Sequence, residues 1–140
     1  MAGNQSPIFS RIGAVGLGTG ITAVVTDYDG TGANNVNIFT ADATNGGFVQ
    51  RIRFKAKGTN AVSVARIYIN NGSTNGTATN NTFYGEISLP ATTASTTAAT
   101  VDIDYPLNIA LPPGYRLYVG ISATTTLASG WVPTTIAGAY

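Results

Sequence analysis

From Phe48 to Lys57 the chain alternates with a period of two. Phe48, Gln50, Ile52, Phe54 and Ala56 fall on one side of an extended backbone, and Val49, Arg51, Arg53, Lys55 and Lys57 on the other. Such alternation belongs to a strand with one face buried and one face solvated or docked. No segment of ten or more residues carries apolar positions at helical spacing. Strand-length runs recur instead: Ile21–Thr26, Val36–Thr40, Ala61–Asn70, Phe83–Leu89, Val101–Tyr105, Leu107–Leu111, Tyr115–Ser122 and Trp131–Val132. They are rich in β-branched and aromatic side chains, which pack well on a pleated surface. Between them lie turn-forming clusters such as Asp29-Gly30, Asn45-Gly46-Gly47, Asn71-Gly72 and Pro112-Pro113-Gly114. Short strands separated by turns predict an all-β antiparallel sandwich of the jelly-roll type. The boundaries expected are an extended, flexible N-terminal arm over residues 1–20, where glycines recur at 13, 16, 18 and 20, and a single domain over 21–140.

The chain has no cysteine and no histidine. A disulfide framework, a thiolate metal site and Ser-His-Asp or Cys-His catalysis are therefore closed to it. The expectation is a protein that is not an enzyme and carries no cofactor and no metal. Asp27-Tyr28-Asp29-Gly30 has a faint calcium-loop look but lacks the later ligands of that pattern, so turn formation by the aspartates explains it better. Glu86 is the single glutamate, and nothing else in the sequence supports a glycosidase pair built on it. Gly13 to Gly20 precedes a β-branched run rather than a helix, so it does not read as a nucleotide loop.

Charged residues make up 9% of the chain, and the formal net charge is +1. A polar but nearly neutral surface suits a protein bound to a large assembly, since low net charge lowers solubility when a protein is free. No stretch is long and apolar enough to span a membrane, and the first residues lack the basic and hydrophobic regions of a secretory signal. The candidate binding residues follow from the strands. Arg51, Arg53, Lys55 and Lys57 form a basic stripe that either docks on an acidic surface or is a solvated face paired with Asp102 and Asp104 across a neighbouring strand. Direct nucleic-acid contact is not expected, because no aromatic stacking platform accompanies the stripe. Tyr84, on the face of Glu86, and Tyr118, on the face of Arg116, are the aromatics expected at the surface. Tyr105, Tyr115 and Trp131 are expected in the core.

Val64-Ala65-Arg66-Ile67-Tyr68-Ile69-Asn70-Asn71-Gly72, Phe83-Tyr84-Gly85-Glu86-Ile87-Ser88-Leu89-Pro90, Leu107-Asn108-Ile109-Ala110-Leu111-Pro112-Pro113-Gly114-Tyr115-Arg116-Leu117-Tyr118-Val119 and Gly130-Trp131-Val132-Pro133 together resemble the small jelly-roll cement, or decoration, proteins of tailed bacteriophages, in particular those of podoviruses infecting Bordetella. The resemblance covers roughly Phe48 to Tyr140. It implies a homodimer on the exterior of the capsid, a major capsid protein as partner, no membrane, and no catalytic residues. The alternative reading is a carbohydrate-binding β-sandwich module of a virion or cell-surface protein, suggested by the tyrosine-rich composition.

Overall fold

The computed structural model describes residues 10–140. Eight strands follow one another: β1 (Ile12–Gly16), β2 (Val36–Thr40), β3 (Gly47–Ala56), β4 (Ser63–Asn70), β5 (Asn81–Leu89), β6 (Asp102–Leu111), β7 (Arg116–Ser122) and β8 (Trp131–Ala139). A single 3₁₀ turn, Ala78–Asn80, precedes β5. The strands form two four-stranded sheets, one ordered β1-β8-β3-β6 and the other β2-β7-β4-β5. All the pairings are antiparallel, and four of them nest: β4 with β5, β3 with β6, β2 with β7 and β1 with β8. A hairpin at β4–β5 is thus wrapped by successive pairs until the two ends of the fold meet in β1 and β8. That nesting, with β3–β8 and β4–β7 completing the sheets, is the jelly roll.

The core fills the space between the sheets. Val49, Ile52, Phe54 and Trp131 come from the β1-β8-β3-β6 sheet, and Ala65, Ile67, Leu89, Leu117, Val119 and Ile121 from the other; all are fully buried. Trp131 is in the core as expected, and Tyr105 and Tyr115 pack against it half-buried.

Three departures from the sequence expectation have identifiable causes. Ile12–Gly16, expected within a flexible arm, is strand β1 and pairs with β8 from Ile12↔Ala139 to Gly16↔Thr135. Gly16 is required there: a Cβ at this position would collide with the Ile38 carbonyl oxygen of the facing sheet. The rest of that proposed arm, residues 1–9, lies outside the described residues. Ile21–Thr26, expected as a strand, makes only isolated bridges, Ile21↔Trp131 and Val24↔Ile121. Its β-branched side chains still find burial, with Ile21 and Val25 3% and 4% exposed, because the segment crosses from the end of the sandwich over the outside of β7. Finally, β3 does not keep one alternation throughout. Its register against both neighbours shifts between Val49 and Arg51, so Val49 points into the core, while Phe48 pairs with Ala110 and Gly138 on the outside. A bulge adds one residue and turns the side chains before it to the other face. On β6 the disturbance is taken up beside Asn108, the single non-glycine residue with positive φ among those described (51°), next to Pro106 on an edge strand.

Candidate docking face

The outer faces of the two sheets have opposite fates. That of the β2-β7-β4-β5 sheet is covered by the protein's own chain. The segment running to Asn35 lies over Gly120, where the Asn35 side chain and Val25 leave no room for a Cβ. The backbone carbonyl of Asp27 accepts hydrogen bonds from Arg66 Nη1 and Tyr68 Oη, both at 2.9 Å. Asn34 Nδ2 donates to the Val24 carbonyl at 3.0 Å, and Asn35 Nδ2 to Asp27 Oδ2 at 3.0 Å. Under this strap Arg66, Tyr68 and Tyr118 are buried. Burial, reinforced by the negative charge of Asp27, pushes the Tyr68 phenol up to about 12.

Among the described residues the outer face of the β1-β8-β3-β6 sheet has no such strap, although Ser10 lies over it against Gly138, and its cross-strand register divides it in two. One row runs Val15, Ile136, Arg51, Pro106, and the next Gly13, Gly138, Phe48, Ala110. This half is largely apolar, and it contains a shallow hollow of 240 Å³ lined by Ser10, Phe48, Gln50, Ile136, Ala137 and Gly138. Val15 is 56% exposed. The other half is an ion-pair grid, with rows Thr134, Arg53, Asp104 and Val132, Lys55, Asp102. Arg53 grips Asp104 with two hydrogen bonds, Nε to Oδ1 at 2.9 Å and Nη2 to Oδ2 at 3.1 Å. It also stands 3.7 Å from Asp102. Arg51 Nε is 3.8 Å from Asp104, and Lys55 Nζ is 4.0 Å from Asp102 and donates to the Thr100 carbonyl. The hydrogen bond from Arg53 holds the Asp104 carboxyl below its ordinary range, and the same bond raises Arg53.

The basic stripe is therefore a paired grid for Arg51, Arg53 and Lys55, as the second of its two sequence readings has it. Pairs this exposed contribute little to stability. Arg51 is placed differently from the others: its Nε is enclosed yet has no hydrogen-bond partner, and it borders the apolar half. Lys57 lies beyond the end of β3, beside Gly20. The other candidate residues are not brought to this face. Arg116 lies on the opposite sheet, 3.4 Å from the Ser73 carbonyl. Tyr118, expected at the surface, is 9% exposed, because the strap and the neighbouring strands enclose it. Tyr84 is the extra residue of a bulge in β5, since Ile67 pairs with Gly85 but Tyr68 with Phe83. The bulge puts Phe83, not Tyr84, on the face of Glu86.

No protein-family model matches this chain, and no curated protein matches it. Among solved structures it is similar to a chain in the structure of infectious bursal disease virus, Gt strain. The identity is 17% and the TM-score 0.31, over 99% of this chain and 36% of that one. The present chain thus spans about a third of the length of that chain.

Phe48, Val15 and Ile136 belong to the apolar half of this face and were not singled out from the sequence. Phe48 reads as a core residue until the bulge is known. Val15 sits in the glycine-spaced segment, and Ile136 in a strand of which only Trp131-Val132 is recognisable. No three histidine, cysteine, aspartate or glutamate side chains converge as metal ligands among the described residues. Asp29 and Asp42 instead cap turns, accepting from Thr31, and from Thr44 and Asn45, and these bonds lower both carboxyls. No helix among the described residues is long and apolar enough to cross a membrane.

Proposed function

We propose that this chain is a structural virion protein that seats on the outside of a capsid lattice and stabilises the head, a cement or decoration protein acting as a homodimer with the major capsid protein as its partner. The observation that carries the reading is the contrast between the two sheet faces: a strap of the protein's own chain covers Arg66, Tyr68 and Tyr118 on one, while among the described residues the other carries no strap and sets an apolar half beside a fixed grid of charges. Apolar area that excludes water, bordered by an arginine, is the composition of a binding surface. The jelly-roll order of the strands and the resemblance of Phe48 to Tyr140 to phage cement proteins support the same assignment. The reading gives the protein no chemical step. Stabilisation comes from repetition: a small interface multiplied over a shell raises the cost of opening each joint.

The test is co-sedimentation of the purified protein with expanded phage heads that lack it, scored for saturable uptake and for resistance of the heads to heat. Saturation at a fixed ratio to the major capsid protein, with raised resistance, is the expected result. Heads that take up none of the protein, or take it up without any gain in resistance, refute the assignment.

A further inference from the structure

On the strapped side of the molecule three exposed side chains form a corner that the docking face does not use. Tyr28, at the crest of the strap, is 59% exposed, and Phe83 on β5 is 39% exposed. Their ring centroids are 5.7 Å apart with the planes at 83°, so one ring forms a floor and the other a wall. The guanidinium of Arg66 lies 3.7 Å from the Tyr28 centroid and covers one face of that ring. Arg66 is 6% exposed, so the solvent-exposed area of the ring belongs to its other face. Arg66 Nε is buried without a hydrogen-bond partner, 3.7 Å from Glu86 Oε2, and the Glu86 side chain is 49% exposed. Phe83 also leans on Tyr68 at 5.6 Å, and Tyr68 is anchored to the strap through the Asp27 carbonyl. The corner is held from behind, so little ordering remains to be done when something enters it.

The charges around the corner select the kind of ligand. An organic cation favours an open aromatic face. Here a guanidinium already occupies the other side of the same ring and opposes a second positive charge, against the pull of Glu86 and of Asp27 and Asp29, which flank Tyr28 in the chain. An anion meets the negative face of the ring and the Glu86 carboxylate. The ligand that uses both the ring face and the carboxylate rim without a net charge is a neutral molecule with polarised C–H groups on one flat side and hydroxyl donors at its rim. A pyranose ring has that form: its axial hydrogens make an apolar face that lies on an aromatic ring, and its equatorial hydroxyls reach a carboxylate at the edge.

We infer that Tyr28, Phe83 and Glu86, braced by Arg66, form a binding corner for a neutral pyranoside. The inference does not rest on the capsid assignment, because the corner and the open face lie on opposite sheets. A protein seated through the β1-β8-β3-β6 sheet turns this corner away from the lattice.

The test is a ¹H–¹⁵N titration of the isolated protein with methyl β-D-glucopyranoside and methyl β-D-galactopyranoside, with tetramethylammonium as the cationic control. Shifts centred on Tyr28, Phe83 and Glu86 are expected with one or both glycosides, with a dissociation constant on the order of a few mM, as suits a small site. Tetramethylammonium should give none. Tyr28→Leu keeps an apolar cover over Arg66 and should melt like the parent, yet it should weaken the glycoside about three- to tenfold, the value of losing one aromatic contact. Tyr28→Phe should keep binding. Phe83→Leu provides the same test with the strap untouched. Absence of shifts with both glycosides, equal binding by Tyr28→Leu and Phe83→Leu, or a preference for tetramethylammonium overturns the inference. None of these outcomes bears on uptake by heads, so the two assignments stand or fall separately.

Discussion

The Asn60 side chain ties together three segments at one end of the sandwich, in addition to the backbone bridge that Asn60 makes with Thr92, and its removal has a calculable cost. It is 3% exposed. Its Nδ2 donates to the Gly130 carbonyl at 3.0 Å, to Thr92 Oγ1 at 3.2 Å and to the Gly58 carbonyl at 3.4 Å. Its Oδ1 accepts from the amides of Gly130 at 2.6 Å and Ser129 at 3.3 Å. The Gly130 carbonyl has a second donor in the Lys57 amide, and the Gly58 carbonyl has one in Thr92 Oγ1, so both stay satisfied without the side chain. The Gly130 amide has no replacement and is buried. Counting the two shortest bonds at about 1 kcal/mol each and the stranded amide at about 1–2 kcal/mol, Asn60→Ala should cost about 3 kcal/mol. For a chain of this length that lowers the melting temperature by roughly 10 °C. Urea unfolding at one fixed protein concentration should show the midpoint fall with the slope unchanged. Asn60→Asp adds a sign test. The introduced carboxylate is buried and turns one oxygen onto the Gly58 and Gly130 carbonyls, which together outweigh the two amides on its other oxygen, so its folded pKa rises above the unfolded value of about 3.9. The folded state then holds the proton more tightly, and the variant loses further stability as pH rises from about 4 to neutrality. A cost below about 1 kcal/mol for Asn60→Ala, or an Asn60→Asp variant that gains stability over that pH range, would refute the reasoning.

Gly16→Ala should destabilise by about 1–3 kcal/mol, because the new Cβ meets backbone rather than a movable side chain, and amide exchange should rise first in β1. Phe48→Asp should lower the melting temperature modestly, since the ring lies on the outer face but is half-buried, yet cut uptake by heads of the folded variant at least about tenfold; full uptake would remove this face from the docking assignment. Stability should fall at both ends of the pH scale. Asp29, Asp42 and Asp104 have folded pKa values below the ordinary 3.8, so what they contribute is present above that pH and is lost as pH drops through the lowered values. Tyr68 and Tyr105 are raised above 10.0, so the folded state keeps their protons and loses stability as pH climbs past 10.0. Melting curves across the range should show both limbs, and a flat alkaline limb would contradict the placement of Tyr68 under the strap.

The strands were legible wherever side-chain period and turn chemistry agreed. β2, β5 and β7 fall within a few residues of their sequence limits. Pairing with Asp102 and Asp104 was also legible as one of the alternatives, because two alternating strands place those charges in a common plane. The rest depended on contacts between distant parts of the chain. β1 is mostly glycine and alanine and becomes a strand only because β8 lies beside it. Beyond Trp131-Val132, β8 holds Pro133 and Gly138, which weaken any local strand signal. Pro133 is accommodated because β1 pairs only with residues 135–139 and leaves that side of Pro133 without a strand partner. The bulges at Gln50 and Tyr84 have no local signature, yet they decide whether Phe48 and Phe83 face core or solvent. Ile21–Thr26 had the composition of a strand and became a strap, because burial satisfies β-branched residues whether or not a neighbouring strand runs alongside.

The division of the open face also assigns different work to its two halves. Had Arg51, Arg53, Lys55 and Lys57 stood unpaired, docking would be driven by charge and would weaken steeply with salt. With Asp102 and Asp104 interleaved, three cations on the sheet meet two carboxylates, and little net field remains to steer a partner. Such a grid fixes orientation, because any partner must match its alternating signs. The affinity then has to come from the half that excludes water, around Phe48, Ile136 and Val15. Binding to heads should therefore change only a few-fold between about 0.05 and 0.5 M salt, over which exposed charges go from weakly to strongly screened. A loss of a hundredfold or more over that interval would place the binding energy in the grid, and with it the case for the apolar half would fail.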